Sequence, residues 1–333
     1  MRHYNRRIEK IREFIDKKEL PAILIKNPSN IFYLTGHLEI EGILVIDSKN
    51  MYLFTPALYY NEVGDLMPID IEVSIYKNEE FKKFLKKYKK IGFLDTEWTF
   101  SAYTSLSKEN KFIPVPDFVK KMRMVKESYE IELIKKALEI NRKVFREIEK
   151  EINIEVEETV LAGMIHYLIR RYGGRREAFE PIVASGIYSA YPHHKNRNKK
   201  IEMGKPLIID AGVDYNGYKS DLTRTFFPGW PDRKFKDIYK FLKDVQQEVM
   251  EFIKPGRTGG EVHSYAVGLL KKKGIERYFI HGLGHGVGID VHELPVIAHK
   301  SKDEIKKGCV FTVEPGIYIP GEGGIRLEEM VII

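Results

Sequence analysis

Cysteine is almost absent from this sequence of 333 residues, since Cys309 is the only one. A chain with one cysteine cannot form an internal disulfide, and a reducing compartment suits it. No apolar run approaches the roughly 18 residues of a membrane span, and residues 1–7 lead into a charged helix without an apolar signal core. Glutamine is limited to Gln246 and Gln247 amid abundant lysine, glutamate and isoleucine, a composition typical of thermophiles. We therefore expect a cytoplasmic protein of a thermophile with no membrane partner.

The sequence also lacks the marks of nucleotide and nucleic-acid binding. The glycines Gly36, Gly42 and Gly64 are isolated, so the first third holds no glycine fingerprint for a dinucleotide. The formal net charge of +7 permits an anionic partner, but lysine and glutamate are intermixed along the candidate helices. Because no basic stretch is interleaved with aromatic residues, we interpret the charge as a solvated surface and expect no nucleic-acid partner.

The length and the hydrophobic fraction of 43% suit two domains with full cores. In the first third, short apolar runs alternate with amphipathic segments, which predicts an α/β domain. Its predicted helices cover residues 7–18 and 79–88, and its predicted strands cover residues 22–25, 42–46, 51–54, 72–76 and 91–94. Pro116 restricts Val115 and cannot continue a helix behind it, so we expect domains at residues 1–118 and 119–333.

The second domain repeats one order of elements. A helical segment runs from about 119 to 151, and helices at 125–150 and 158–172 precede strands at 181–184, 206–213 and 218–227. Helices at 235–252 and 259–273 precede the stretch 281–295 and strands at 309–319 and 325–333. Each half is two helices followed by a strand hairpin, which predicts an α+β domain of two similar halves.

The stretch 281–295, HGLGHGVGIDVHELP, concentrates histidine and glycine. Glycine at alternate positions opposes a helix and lets the backbone approach its neighbours closely. His281, His285 and His292 therefore do not share a helical face. We expect an irregular segment to gather them, as in many metal and catalytic sites.

Two carboxylates fall on a predicted hairpin around the turn signal Asn216-Gly217. A four-residue loop places Asp210 opposite Asp221, whereas a two-residue loop places Asp210 opposite Thr223. Either register leaves both carboxylates on one face, because any even loop preserves the parity of the strands.

A second predicted hairpin carries Glu314 and Glu328, which share a face only if its loop is odd or bulged. Arg326 lies two residues before Glu328 and shares its face. Cys309 and Glu314 are an odd number of residues apart, so their side chains would face opposite sides of a strand. We therefore expect Cys309 to be a buried strand cysteine and not a metal ligand.

Four converging carboxylates without partners would repel one another and lose hydration, at several kcal/mol per ion. Two divalent cations balance that charge, and oxygen-rich ligands with one imidazole suit Mn, Co, Fe or Zn. Two such ions can lower the pKa of a shared water and stabilise the transition state of a hydrolysis. The carboxylates and one histidine therefore predict a site for two divalent metal ions.

These segments resemble the pita-bread dinuclear metallopeptidases, a family that includes methionine aminopeptidase, aminopeptidase P and prolidase. The resemblance rests on IIDAGVDYNGYKSDLTRTF, HGLGHGVGIDVHELP, FTVEPGIYIP and GGIRLEE, which hold the ligand types in the family's order. It implies that Asp210 holds one metal. His285 and Glu314 would hold the other, and Asp221 and Glu328 would bridge the two.

The segment NIFYLTG at 30–36 is similar to the N-terminal domain shared by prolidase, aminopeptidase P and creatinase. Methionine aminopeptidases generally lack that domain, and creatinase lacks the full ligand set. The resemblance therefore implies the proline-selective members, with a creatinase-like α/β domain before the pita-bread domain.

Further residues match the family's pattern singly. His193 corresponds to a histidine on the substrate side of the site, in preference to the adjacent His194. His292 corresponds to a histidine that stabilises the tetrahedral intermediate, and Arg326 to an arginine that supports the bridging carboxylates. Tyr318 is either near the site or a core residue.

The function implied is an Xaa-Pro dipeptidase (prolidase), or an aminopeptidase P that acts on longer peptides. A hydroxide activated by two metals would attack the carbonyl before proline, with Glu314 moving the proton and His292 stabilising the oxyanion. A dipeptidase must also bind a free carboxylate, for which His37, His193 and Arg326 are candidates. The short chain favours the dipeptidase, and we expect a homodimer. A general aminopeptidase and a non-catalytic binding protein are the rival interpretations.

Overall fold

The computed structural model describes residues 2–67, 70–108 and 110–333. The chain divides into two units, Met1–Met122 and Arg123–Ile333. The predicted junction between residues 118 and 119 falls four residues earlier, inside a helix that runs across the division. Pro116 therefore precedes the start of this helix, which a proline permits. Among the described residues, no helix is both long and apolar enough to cross a membrane.

The N-terminal unit is built on a six-stranded sheet. Its strands are β1 (Ala22–Ile25), β2 (Ile43–Asp47), β3 (Met51–Thr55), β4 (Ile71–Ile75), β5 (Lys90–Leu94) and β6 (Lys111–Val115). The order across the sheet is β4-β3-β2-β1-β5-β6, with β2 antiparallel to both neighbours and the other pairs parallel. The helices are α1 (Arg2–Lys17), α2 (Pro28–Thr35), α3 (Tyr60–Leu66), α4 (Asn78–Leu85), α5 (Phe100–Leu106) and α6 (Phe118–Met124). The unit has the predicted α/β architecture.

Four elements of this unit lie outside the predicted ones, namely the helices α2, α3 and α5 and the strand β6. The segment NIFYLTG lies mostly in helix α2, which Asn27 caps by accepting the backbone N–H groups of Ser29 and Asn30. Gly36 ends the helix at a φ of 82°, a conformation that glycine adopts without strain. The segment with Pro114 forms β6, and the edge position tolerates proline because an edge strand can leave a backbone N–H unpaired.

The first half of the C-terminal unit contains α7 (Ser128–Glu151) and α8 (Glu158–Arg171). Its strands are β7 (Arg176–Glu177), β8 (Ile182–Ser185), β9 (Leu207–Ala211), β10 (Val213–Tyr215), β11 (Tyr218–Lys219) and β12 (Leu222–Phe226). They form two antiparallel sheets with the orders β12-β9-β8 and β11-β10-β7. The side chain of Asn141 on α7 donates to the carbonyl oxygen of Ala211 at 2.7 Å, which fixes this helix to the end of β9.

The helical segment predicted from about 119 to 151 is divided into α6 and α7, and the helix predicted at 125–150 corresponds to α7. Val125 forms a β-bridge with Cys309, so the backbone between the helices pairs with a distant segment. Glu127 then begins α7 with a capping box, in which its side chain and that of Glu130 each accept the other's backbone N–H. Cys309 itself is fully buried, as predicted.

The second half contains α9 (Arg233–Phe252) and α10 (Gly259–Lys271). Its strands are β13 (Gly284–Gly286), β14 (Glu293–Ile297), β15 (Val310–Val313), β16 (Gly316–Ile319), β17 (Gly323–Arg326) and β18 (Glu329–Ile332). They form a sheet of order β14-β13-β15-β18 and a ribbon of β16 and β17. Buried side chains of both helices, such as Leu242 and Val262, share one core with Phe311 of β15. The two halves thus have the predicted order of helices and strands.

Candidate metal centre

The glycine-rich stretch forms a short strand that has no room for side chains on one face. A Cβ atom on Gly284 would lie 2.0 Å from the carbonyl oxygen of Thr312, and one on Gly286 would lie 2.1 Å from that of Leu294. The glycines therefore let β13 fit between β14 and β15, and His285 between them faces the opposite side. The predicted irregular conformation is found on both sides of this strand, whose register shifts after His285.

Asp210 and Asp221 come from the first hairpin. Its turn residues, Asn216 and Gly217, have positive φ angles of 49° and 86°, as a two-residue type I′ hairpin requires. Asp210 is opposite Thr223, so the two-residue loop is the correct one of the two predicted registers. Both aspartates are buried and line one cavity.

Glu314 and Glu328 come from the second hairpin. The pairs of β15 with β18 and of β16 with β17 share one register around the three-residue loop 320–322. Because this loop has an odd number of residues, Glu314 lies across from Glu328 and the two side chains share a face, as the sequence predicted for an odd loop. The N–H of Glu314 donates to Leu283 O at 2.8 Å and that of Glu328 to Thr223 O at 3.1 Å. The hairpin therefore connects the sheets of both halves at this point.

The five predicted metal ligands line one cavity of about 530 Å³. His285 Nε2 lies 3.3 Å from Glu314 Oε1 and 3.7 Å from Asp221 Oδ2. One ligand atom each from Asp221, His285 and Glu328 lies within 4.8 Å of the other two. Asp210 lines the same cavity. Their proximity makes a metal site possible, and their individual roles as ligands stay predictions.

Three carboxyl groups of this cavity, those of Asp221, Glu314 and Glu328, lie where their charged forms are disfavoured. Burial raises the pKa of Asp221 well above its ordinary value, and the charges of Glu328, Asp210 and Glu314 raise it further. Burial also raises the pKa of Glu314 to about 7 and that of Glu328 well above its ordinary value. Burial lowers the pKa of His285 to about 4. At neutral pH this imidazole is therefore uncharged and has a lone pair for a metal.

Two observations test whether the residues present fit a cation. The buried Oδ1 atoms of Asp210 and Asp221 have no hydrogen-bond partner among the described residues. His285 Nδ1 lies 3.2 Å from Gly286 O, which assigns the proton to Nδ1 and leaves the Nε2 lone pair facing carboxylate oxygens. Lone pairs that face one another without a proton or cation between them are unfavourable. Carboxylate and imidazole donors suit Mn, Co, Fe or Zn, so the site fits a divalent metal.

Arg326 is a buried anchor for two of the carboxylates. Its Nη2 donates to Asp210 Oδ2 at 2.6 Å, its Nε to Thr223 Oγ1 at 3.1 Å, and its Nη1 to Tyr318 Oη at 2.9 Å and to a backbone carbonyl. Thr223 Oγ1 in turn donates to Glu328 Oε2 at 2.6 Å. Arg326 is only 4% exposed. These contacts make Arg326 the least favoured of the three candidates for binding a substrate carboxylate, because its donors are engaged inside the protein.

The histidines of the cavity have different surroundings. His193 is exposed and lines the cavity, whereas His194 is buried with Nε2 2.7 Å from Glu158 Oε2. This placement agrees with the preference for His193. His281 Nε2 lies 3.0 Å from Tyr318 Oη and its Nδ1 lies 2.6 Å from the next carbonyl oxygen. Both nitrogens of His281 are thus engaged in bracing the loop.

His292 lies on a short loop that an ionic cluster fixes from both sides. The His292 ring is exposed, lines the cavity and has its centroid 4.1 Å from that of His285. Arg123 Nη2 lies 2.6 Å from Asp290 Oδ2 and 2.5 Å from Glu293 Oε2. Local sequence does not indicate this anchor, because Arg123 lies 167 residues before Asp290.

Two hydroxyl groups and one lysine of the site have no role that the sequence predicts. Thr223 links Arg326 to Glu328, as described above. Thr312 Oγ1 donates to Glu314 Oε1 at 3.1 Å, and its position two residues before Glu314 on a strand could have predicted the shared face. Lys195 also lines the cavity, and no pattern in the sequence distinguishes it from other loop lysines.

Comparison with known proteins extends the similarity over both units. Residues 132–333 match Metallopeptidase family M24, and residues 7–125 match the Creatinase/Prolidase N-terminal domain. The chain is 36% identical over 333 residues to the Xaa-Pro dipeptidase of Pyrococcus horikoshii, covering 99% of this chain and 94% of the relative. The structure of an Xaa-Pro dipeptidase from Bacillus anthracis is 32% identical with a TM-score of 0.94, covering 99% and 95% of the two chains. That of an X-Pro aminopeptidase from Thermotoga maritima is 34% identical with a TM-score of 0.85, covering 95% and 93%.

Proposed function

The chain belongs to metallopeptidase family M24 and carries a creatinase/prolidase N-terminal domain, and from this premise we propose that it is an Xaa-Pro dipeptidase that hydrolyses the peptide bond before proline. The family matches and the similar structures confirm the predicted fold, a creatinase-like α/β domain followed by a pita-bread α+β domain of two similar halves. The observation that carries the proposal is the convergence of one histidine and four carboxylates in a cavity of a chain 36% identical to an Xaa-Pro dipeptidase.

We propose that Asp210, Asp221, His285, Glu314 and Glu328 hold two divalent ions, with Mn, Co, Zn and Fe as the candidates. Such ions supply positive charge that acidifies a water and polarises the scissile carbonyl. The chain's own contribution is to hold the ligands in place. Arg326 orients Asp210 directly and Glu328 through Thr223, as their hydrogen bonds indicate.

The remaining roles follow from position. Glu314 lies among the proposed ligands, with Oε1 3.3 Å from His285 Nε2, and it takes a proton from the attacking water and gives it to the leaving nitrogen. His292 lies on the anchored loop beside the ligands and donates to the developing oxyanion. His193 lies on the exposed side of the cavity and positions the substrate. The nitrogen of the scissile bond belongs to the proline ring and carries no N–H, so recognition of the bond depends on the ring and the carbonyl.

Hydrolysis of defined peptides tests the proposal. The metal-loaded protein is assayed with Ala-Pro and Ala-Ala, and the expected result is a kcat/KM for Ala-Pro at least tenfold higher. Preference for Ala-Ala would instead indicate a general aminopeptidase. Absence of hydrolysis by protein with full metal content would indicate a non-catalytic relative.

The second candidate function is that of an aminopeptidase P, which the similarity to the X-Pro aminopeptidase of Thermotoga maritima favours. The two functions differ in peptide length. We expect Ala-Pro to be cleaved in preference to Ala-Pro-Ala, and preferential cleavage of the tripeptide would assign the aminopeptidase.

We further propose that the protein is a homodimer in the cytoplasm of a thermophile. The composition, with one cysteine and abundant lysine and glutamate, supports the compartment and the growth temperature. Sedimentation of the 38.8 kDa chain should give twice that mass, and a mass of one chain would contradict the dimer. Elemental analysis of the purified protein should give two metal ions per chain.

A further inference from the structure

Lys195 is the one lysine that lines the cavity in the described part of the chain. It is exposed, and no ion pair joins it to a described residue. By contrast, the nearby loop lysines Lys199 and Lys200 are paired with Glu202 and Glu155. A cation without a counter-charge at the rim of a substrate cavity is a candidate for binding an anionic part of the substrate.

Three other basic groups of the cavity, unlike the exposed His193 and His292, are already engaged within the protein. Arg326 is buried and bound to Asp210, Thr223 and Tyr318. His281 uses both ring nitrogens within the protein. His285 faces the carboxylates of the metal cluster. None of these three groups has a free charge for a substrate carboxylate, and His193 and His292 already have proposed roles in positioning the substrate and stabilising the oxyanion.

The backbone around Lys195 is held in place, unlike that of an ordinary surface lysine. The preceding His194 is buried against Glu158 at 2.7 Å. The following Asn196 accepts the N–H of Val183 at 2.8 Å and donates to the carbonyl oxygen of Pro181 at 2.7 Å. Pro181 also lines the cavity, so two anchors fix the position from which the lysine side chain extends.

One carboxylate outside the metal cluster also lines the cavity. Glu180 Oε1 lies 3.4 Å from His166 Nε2, and the same ring lies 3.2 Å from Glu177 through Nδ1. The side chain of Glu180 is therefore directed to His166 on α8, and its charge is not paired with Lys195.

We propose that Lys195 binds the free C-terminal carboxylate of the dipeptide and so selects Xaa-Pro dipeptides over longer peptides. This inference rests on the proposed function and names the residue responsible for its length preference. A dipeptide presents a carboxylate directly after the proline ring, whereas a longer peptide presents a neutral amide there. An ammonium–carboxylate hydrogen bond stabilises only the former.

Kinetics with paired substrates test the assignment. The wild-type protein and the variants Lys195→Met, Lys195→Arg and Lys200→Met are loaded with metal and assayed with Ala-Pro and with Ala-Pro amide. We expect Lys195→Met to lower kcat/KM for Ala-Pro about 10- to 100-fold, mainly through KM, and to change that for the amide less than about twofold. Lys195→Arg should restore most of the activity, because arginine keeps the charge.

The control Lys200→Met removes a loop lysine of the same type that is paired with Glu155 and does not line the cavity. It should leave both substrates unaffected, and metal content should be the same in all four proteins. An equal loss on Ala-Pro and its amide, or no loss on Ala-Pro, would overturn the role of Lys195 while the dipeptidase function stands. Failure of the wild-type protein to cleave Ala-Pro would overturn the dipeptidase function itself.

Discussion

Asp221 shares the buried wall of the cavity with three other carboxylates, Glu328, Asp210 and Glu314, whose charges raise its pKa. If this side chain bridges two cations, its loss affects both. We expect Asp221→Asn to lower the bound metal from two ions per chain to one or none and to abolish hydrolysis of Ala-Pro, because an amide carries no charge to offset the cations. Elemental analysis and steady-state kinetics measure the two effects.

The matched control is Asp237→Asn, which changes an exposed aspartate on α9. It should keep both the metal content and the activity. Two tightly held ions together with normal turnover in Asp221→Asn would contradict the bridging role.

His292 is exposed in the cavity beside His285, on the loop that Arg123 anchors through Asp290 and Glu293. If it donates to the oxyanion, His292→Ala should lower kcat by about 10²–10³-fold while the metal content stays unchanged. Loss of a metal ion from this variant would show that His292 is a ligand, and the set of five ligands would then be incomplete.

Strand β13 depends on glycine at alternate positions because its neighbours are so close. A Cβ on Gly286 would lie 2.1 Å from Leu294 O and 2.3 Å from its carbonyl carbon, so the backbone has to move. We expect Gly286→Ala to lower the free energy of unfolding by about 1–3 kcal/mol and to reduce metal content, since His285 is the adjacent residue. Urea denaturation and elemental analysis measure these effects.

Gly268 on α10 is a control for Gly286, because it has open space around it. It is exposed, and a Cβ there would meet no atom within 4 Å. Gly268→Ala should therefore raise the free energy of unfolding by about 0.5–1 kcal/mol, because alanine is the better helix former. If Gly286→Ala were as harmless as Gly268→Ala, close packing would not be the reason for the glycines of β13.

The stability of the whole C-terminal unit should depend on pH through its buried cluster. Without metal, Glu314 has a pKa of about 7, raised by burial, and the pKa values of Asp221 and Glu328 are raised too. The folded protein then keeps protons that the unfolded chain has released, so the free energy of unfolding falls as the pH rises through about 7. His281 and His285, with pKa values lowered by burial to about 4, act in the opposite direction below about pH 6.5.

Above about pH 6.5 the carboxyl contribution remains, and we expect the metal-free protein to melt at a lower temperature at pH 8 than at pH 6.5. Bound metal takes the place of those protons, so the metal-loaded protein should not show this fall and its stabilisation by metal should grow with pH. Calorimetry of chelator-treated and metal-loaded samples at both pH values measures the effect. Equal melting temperatures of the metal-free protein at the two pH values would contradict it.

Patterns with a short period were predictable from the chain. Residues 22–25 are a strand because four consecutive apolar residues fit a sheet buried on both faces, and the structure has β1 at Ala22–Ile25. Asn216-Gly217 predicts the first hairpin because both positions need positive φ. Because side chains alternate along a strand, the sequence also predicted that Asp210 and Asp221 lie on one face. For Glu314 and Glu328 the prediction depended only on whether the loop of the second hairpin has an odd or an even number of residues.

The sequence by itself thus determined most of the longer buried strands, the turn residues of the first hairpin and the five candidate ligands, because these depend on residues close in the chain or on motifs long enough to resemble a family. Only the tertiary structure decided between the two registers of Asp210, divided the helix at Val125, and engaged Arg326 with Asp210 instead of with solvent. It also left Lys195 as an exposed lysine lining the cavity. These outcomes depend on contacts between residues far apart in the chain, and the energies of such contacts cannot be inferred from local sequence patterns.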